Sequence, residues 1–200
     1  MFITFEGIDG CGKTTQAKLL VERLKSDGSE VLLLREPGGT ELSEQVRNIL
    51  LNKSYSQPLS REAELLLFAA SRAQLIREVI EPALKRAAIV ILDRFTDSTI
   101  AYQGFGRGIK LNHIEHINLA ATGGREPDIT FFLDIPLEDA AARRKAIAND
   151  RIESEESEFH QKVMEGYWYL AKQHPKRIRV IDGTESVEEI AEKIWRMVRK

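Results

Sequence analysis

Short apolar runs alternate along this chain with longer stretches in which apolar residues recur every three or four positions. The runs are Phe2–Glu6, Val31–Arg35, Ile89–Asp93, Thr130–Asp134 and Ile178–Ile181, each of strand length. Val31-Leu32-Leu33-Leu34 and Ile89-Val90-Ile91-Leu92 are continuous, which predicts strands covered on both faces, as in parallel sheets. Helical spacing fills the intervals at 14–27, 41–51, 60–86, 97–121, 136–148, 156–173 and 186–199. Alternation of this kind predicts one doubly wound α/β domain over 1–200. The stretch 143–162 departs from the rest, being basic first and then acidic. It reads either as a solvated helix pair or as a mobile lid, around 136–156, that brings arginines to phosphate.

Composition narrows the class. An apolar share of 42% and a charged share of 30% give an ordinary globule with room for a core. A net charge of −2 supplies no general field for nucleic acid. Cys11 is the only cysteine, so no internal disulfide forms and a cytoplasmic setting is expected. No stretch reaches the apolar length of a membrane span, and the N-terminus reads as strand and loop instead of signal peptide. His113, His116, His160 and His174 lack metal-ligand spacing, and the first two read as surface residues of one helix.

The chemistry begins directly after the first strand. Gly7-Ile8-Asp9-Gly10-Cys11-Gly12-Lys13-Thr14, followed by Thr15, spells G-x-x-x-x-G-K-T between strand and helix. Glycines there let backbone N–H groups turn onto phosphate oxygens. The helix N-terminus faces the anion, Lys13 reaches the β/γ-phosphates, and the Thr14 hydroxyl can hold Mg²⁺. The motif predicts ATP-type binding. Asp93 ends the third strand, where α/β folds bind ligands, and can orient Mg²⁺; Arg94 beside it offers a fork for a second phosphate. No guanine-reading Asn/Thr-Lys-x-Asp run follows. Further anion and base readers are Arg35 to Thr40, Arg47, Phe68 with Arg72, and Ser98 to Gln103. Phe68 and Arg72 are i, i+4 on one helix face. A pair like that can stack a base and bond its edge, or can be a core Phe beside a surface Arg.

Arg35-Glu36-Pro37-Gly38-Gly39-Thr40 and Asp93-Arg94-Phe95-Thr96-Asp97-Ser98-Thr99-Ile100-Ala101-Tyr102-Gln103-Gly104 resemble the two signature stretches of thymidylate kinases. Leu67-Phe68-Ala69-Ala70-Ser71-Arg72 and Asp150-Arg151-Ile152-Glu153 extend the resemblance over essentially the whole chain. It implies a P-loop kinase fold, a five-stranded parallel sheet flanked by helices on both faces, and a homodimer. It also implies transfer of the ATP γ-phosphoryl to dTMP, giving dTDP for dTTP synthesis. By position, Phe68 stacks on thymine, Arg72 donates to its O4, and Thr99 and Gln103 meet the N3–O4 edge. Tyr102 opposes a ribose 2′-OH, Arg94 and Arg47 hold the acceptor phosphate, and Asp9 lies near the sugar 3′-OH and the metal. Glu36-Pro37 resembles a bond that the family holds cis.

Asp9, Gly10 and Cys11 place no cation inside the phosphate loop, so the charge over the transferring group has to come from elsewhere. The chain resembles the bacterial subtype with catalytic lid arginines, and Arg143, Arg144 and Arg151 are the candidates. Cys11 is read as a small loop residue whose backbone N–H matters more than its sulfur. Two rival readings stay open: a kinase for another pyrimidine monophosphate or AMP, and an ATP-binding regulatory module without turnover.

Overall fold

The computed structural model describes residues 1–144 and 151–199. The five apolar runs form one parallel sheet: β1 (Phe2–Glu6), β2 (Val31–Arg35), β3 (Ile89–Asp93), β4 (Ile129–Asp134) and β5 (Ile178–Asp182). Their order is β2-β3-β1-β4-β5. The central strand β1 pairs Ile3 with Ile91 on one side and Ile129 on the other. This order sends the chain in opposite directions from β1, so the C-terminal ends of β1 and β3 open the crevice in which α/β sheets bind ligands.

Helices cover both faces. One core joins β1 and β4 to α1 (Lys13–Ser26), α8 (Ser157–Gln173) and α9 (Val187–Val198), around Phe5, Phe131, Leu24, Leu170 and Ile194. The other joins Phe2, Val90 and Leu92 to Leu75, Ile76, Ile80 and Phe95. Each large apolar side chain that is fully buried contributes about 1.5–3 kcal/mol. The edge strand β2 departs from expectation. Its run is continuous, yet Leu33 is exposed and its neighbours are only half-buried. An edge strand has one strand neighbour and partial helical cover, so an apolar run there does not require two buried faces.

Two long helical readings were too simple. The interval 60–86 is α3 (Arg61–Leu75), a π-helical turn (Ile76–Ile80) and α4 (Glu81–Lys85). Pro82 accounts for the widened turn, since it donates no N–H and its ring crowds the carbonyl four residues back. The interval 97–121 starts as α5 (Thr96–Thr99), widens to a π-helical stretch (Ile100–Gly106), breaks, and resumes as α6 (Leu111–Thr122). Gly108 sits in the break at φ 71°, a left-handed conformation that glycine enters without strain. The second helix, α2 (Glu41–Leu51), has the expected bounds and is capped by Thr40. The seventh, α7 (Leu137–Arg144), covers the first part of 136–148, and 145–150 lie outside the described residues.

One buried carboxyl group fixes the sheet end to its surroundings. Glu6 closes β1, is fully buried, and accepts from Phe95 N (2.7 Å), Ser98 Oγ (2.6 Å) and Tyr167 Oη (3.1 Å). It thereby joins β1 to the turn after β3 and to α8. Burial pushes its carboxyl up to about 7, helped by Asp97 and opposed by Ser98, Arg94 and the Phe95 N–H. Asp97 is itself held by both Arg177 Nη atoms, at 2.6 and 2.8 Å. Where α8 crosses the π-helical stretch, an added Cβ on Gly166 would stand 2.8 Å from Ala101 Cα.

Two outcomes follow from this packing. Gly166→Ala gains about 1 kcal/mol of helix propensity but overpacks a backbone contact, which costs about 1–3 kcal/mol. The variant is therefore less stable in urea melts, and an unchanged or higher midpoint would show that the crossing has slack. For Glu6, the folded carboxyl titrates near 7 and the unfolded one near 4.5. Between these values the folded chain holds a proton that the unfolded chain has released, so this contribution to stability is lost as pH rises through the window. Glu6→Gln removes it. Between pH 5 and 7.5 the wild type should lose about 2 kcal/mol more stability than the variant, and parallel urea midpoints in the two proteins would refute the assignment.

Candidate active site

The loop between β1 and α1 wraps the end of the sheet. Gly12 caps α1 at φ 99° without a side-chain hydrogen bond, leaving the helix N-terminus open to an anion. Gly7, at φ 134°, has no room for a side chain: a Cβ there would lie 2.6 Å from Leu133 O. Lys13 is buried and donates from Nζ to Gly7 O (3.0 Å) and Ile8 O (2.9 Å), with Asp9 Oδ1 at 3.8 Å. Thr14 Oγ1 donates to Asp93 Oδ2 at 2.6 Å. The loop residues Asp9 to Thr15 line a cleft of about 740 Å³, shared with Arg35, Asp93, Arg143, Gly183 and Ser186. Its size lies within the range of roughly 300–1,000 Å³ typical of ligand sites. Thr14 and Asp93 present hard oxygens side by side, a donor set suited to Mg²⁺, which takes one or two protein carboxylates together with substrate phosphates. Cys11 is buried in the loop, and burial pushes its thiol up against the pull of Lys13, leaving it a poor nucleophile.

Arg94 follows Asp93 at φ 71°, a conformation costing a non-glycine residue roughly 1–3 kcal/mol. Hydrogen bonds on both sides hold it there: Arg94 N to Phe5 O at 3.0 Å, and Phe95 N to Glu6. The turn aims Asp93 at the phosphate loop and the Arg94 guanidinium at the neighbouring cleft. Arg94 donates to Asp9 Oδ1 (2.7 Å), Tyr167 Oη (3.0 Å), Ser98 Oγ (3.1 Å) and Tyr102 Oη (3.2 Å). Its guanidinium also lies 5.0 Å from the centroid of the Tyr102 ring.

The second cleft is narrower, about 130 Å³. Asp9, Glu36, Pro37, Arg47, Phe68, Arg72, Arg94, Thr99, Tyr102 and Gln103 all line it. The Glu36–Pro37 bond is cis, and Arg47 Nη1 donates to Pro37 O at 3.0 Å. Phe68 is half-buried, while Arg72 is 1% exposed, which removes the reading of a core Phe beside a surface Arg. Arg72 donates from Nε to Glu36 Oε2 (2.8 Å), from Nη1 to Asn118 Oδ1 (2.8 Å) and from Nη2 to Phe95 O (3.1 Å). Its Nη2 also stands 2.7 Å from Glu36 Oε2. Burial pushes the Glu36 carboxyl up and Arg72 opposes it.

The expected catalytic arginines separate. Arg143, on α7, lines the first cleft and donates from Nη2 to Gly183 O at 3.0 Å. Arg151 is held elsewhere, donating to Glu64 Oε2 (2.7 Å) and Leu50 O (2.8 Å), and lines neither cleft. The remainder of the expected lid, 145–150, and the Arg144 side chain lie outside the described residues. Sequence reasoning did not single out Glu6, Glu64, Asn118 or Tyr167. Glu6 carries a signal, a charge closing an otherwise apolar strand. So does the Gly183–Ser186 wall, since Ser186 and Glu189 form a capping box at α9 and that spacing is legible.

Comparison with known proteins agrees with this geometry. A family profile described as thymidylate kinase matches residues 5–194. The chain is 51% identical over 195 residues to the thymidylate kinase of Kosmotoga olearia, covering 97% of this chain and 93% of the relative. It is 49% identical over 199 residues to that of Caldanaerobacter subterraneus subsp. tengcongensis, covering 100% and 95%. The crystal structure of thymidylate kinase from Ehrlichia chaffeensis superposes with a TM-score of 0.81 at 40% identity, covering 99% of this chain and 98% of that one. A parallel five-stranded sheet, a phosphate loop with its Asp93 partner, and full-length likeness at this identity have one consequence: the chain belongs to the thymidylate kinase family.

Proposed function

We propose that this protein transfers the γ-phosphoryl group of Mg·ATP to dTMP, giving dTDP and ADP, as a cytoplasmic homodimer. One arrangement carries the reading: Asp9, Glu36, Arg47, Arg94 and Glu153 border both clefts, so a donor on the loop and an acceptor beside Arg94 meet across a shared wall. A phosphomonoester has its second pKa at about 6, so the acceptor oxygen needs no strong base near neutral pH. The reaction needs two anions aligned and their charge neutralised. Lys13 and the loop N–H groups serve the donor. Thr14 and Asp93 would hold Mg²⁺, which would supply charge neutralisation on the donor side. Arg94 and Arg47 serve the acceptor phosphate, with Asp9 near the sugar 3′-OH.

Phe68 gives the base a stacking surface and Tyr102 leaves little room for a 2′-OH. Arg72 has five N–H groups; three donate to Glu36, Asn118 and Phe95 O, and Nη2 also lies 2.7 Å from Glu36 Oε2. The remaining Nη1 proton is available to a carbonyl such as O4. Arg143 supplies the cation beside the donor that the loop lacks. The homodimer is supported by exposed apolar side chains on the neighbouring helices α2, α3 and α6: Leu42, Ile49, Leu66 and Leu119. No described helix is long and apolar enough to cross a membrane.

ADP release with a panel of acceptors tests the reading. Turnover is expected with dTMP well above UMP, CMP and AMP, and dUMP is expected within about 10–200-fold, the reach of one-methyl discrimination. Preference for a ribonucleotide would overturn the roles of Tyr102 and Arg72, and ATP binding without turnover would favour a regulatory module. A second outcome separates the arginines. Arg143→Ala should lower kcat by roughly 10³-fold with the dTMP KM nearly unchanged, whereas Arg151→Ala should act mainly on that KM. The reverse pattern would return the transferring phosphoryl to Arg151.

A further inference from the structure

Glu64, on α3, is 1% exposed and lies outside the residues that line either cleft. Four side-chain donors converge on its two oxygens. Gln103 Nε2 reaches Oε1 at 2.8 Å, and Arg107 reaches Oε1 through Nε and Oε2 through Nη2, each at 3.1 Å. Arg151 Nη2 reaches Oε2 at 2.7 Å. Burial alone would push this carboxyl up, but Arg107, Gln103 and Arg151 overcome it and hold it below the usual range, so Glu64 is ionised at neutral pH.

An ionised carboxylate only accepts hydrogen bonds. Gln103 must therefore turn its NH₂ group to Glu64, which leaves the amide oxygen as the group it offers the cleft. The cleft then presents an acceptor from Gln103 and a donor from the unspent Arg72 N–H. Thymine carries the complementary pair, a donor at N3 and an acceptor at O4. Cytosine carries the inverse, an acceptor at N3 and a donor at N4. A buried mismatch of this kind leaves polar groups unpaired, the costliest form of discrimination.

The same carboxylate also anchors a wall of the cleft. Arg151 donates from Nε to Leu50 O at 2.8 Å, and Arg107 pairs with Glu155 at 2.7 Å. Between these two ties, Ile152 and Glu153 line the cleft, as does Leu51 next to the Leu50 anchor. We propose that Glu64 is a positioning residue that fixes the polarity of the base reader Gln103 and, through Arg151, ties that reader to the 151–155 turn closing the cleft. The proposal rests on dTMP as the acceptor.

Steady-state kinetics with dTMP and dCMP for the wild type, Glu64→Gln and Arg151→Met, each checked by thermal melt, test it. Glu64→Gln can donate as well as accept, so Gln103 is free to turn over. The dTMP-to-dCMP ratio of kcat/KM should fall at least tenfold, chiefly through KM. Arg151→Met releases the wall but leaves Glu64 on Gln103, so the dTMP KM rises while the ratio holds. Should Glu64→Gln fail to fold, Glu64→Asp keeps the charge for both arginines, withdraws the carboxylate from Gln103, and should lower the ratio in the same direction. Equal losses on both acceptors in a folded Glu64 variant would reduce Glu64 to a structural role and overturn the proposal. A wild type without preference for dTMP would overturn the acceptor reading itself.

Discussion

The backbone reversal at Arg94 is the constraint on which the site depends. A strand ordinarily points successive side chains to opposite faces of its sheet. Here the chain leaves β3 through a left-handed residue, and consecutive side chains serve two neighbouring clefts: Asp93 meets Thr14 in one, and Arg94 meets Asp9 beside the other. Arg94 is not glycine, so the conformation is held against its own preference. What holds it is Glu6, taking the Phe95 N–H and the Ser98 hydroxyl on the far side of the turn. A buried acid with three donors around it is costly to desolvate and rigid once satisfied. That rigidity fixes where the two clefts meet.

The second cleft repeats this plan. Arg72 is buried between Glu36, Asn118 and the Phe95 carbonyl, and Gln103 is bound to Glu64. Each of these cleft-lining groups is thus oriented by a partner behind it before any ligand arrives. Pre-oriented groups spend less free energy on ordering when they bind. They are also unforgiving, because a ligand edge of the wrong polarity cannot be met by rotating a side chain that is already committed.

Much of this was readable from the chain. The phosphate loop is a contiguous motif with a mechanism attached to each position, and the strands are bounded apolar runs, so both were legible locally. The cleft-lining residues came from ordered stretches whose spacing identifies them together, where Phe68 and Arg72 alone were ambiguous. What stayed hidden depends on tertiary distance. Glu64 stands among helix residues like any surface glutamate, and only the fold brings Gln103, Arg107 and Arg151 to it. Asn118 and Tyr167 lie 46 and 73 positions from the arginines they contact. The break at Gly108 and the widening before Pro82 were missed because helical periodicity runs through both.

Asp9 links the two halves. Its Oδ1 lies 2.7 Å from Arg94 Nη2 and 3.8 Å from Lys13 Nζ, so one carboxylate is shared between a cation lining both clefts and the buried lysine of the phosphate loop. Any anion approaching Arg94 must compete with Asp9 for that guanidinium. Its repulsion with the carboxylate is relieved to the extent that Lys13 draws the same charge. An anion engaging Lys13 acts in the opposite sense, leaving Asp9 more dependent on Arg94. Neither cation can therefore be retuned alone. At separations under 4 Å, an effective dielectric constant near 20 still gives interactions of about 4 kcal/mol between unit charges. That is ample for occupancy of one cleft to be felt in the other without movement of any helix.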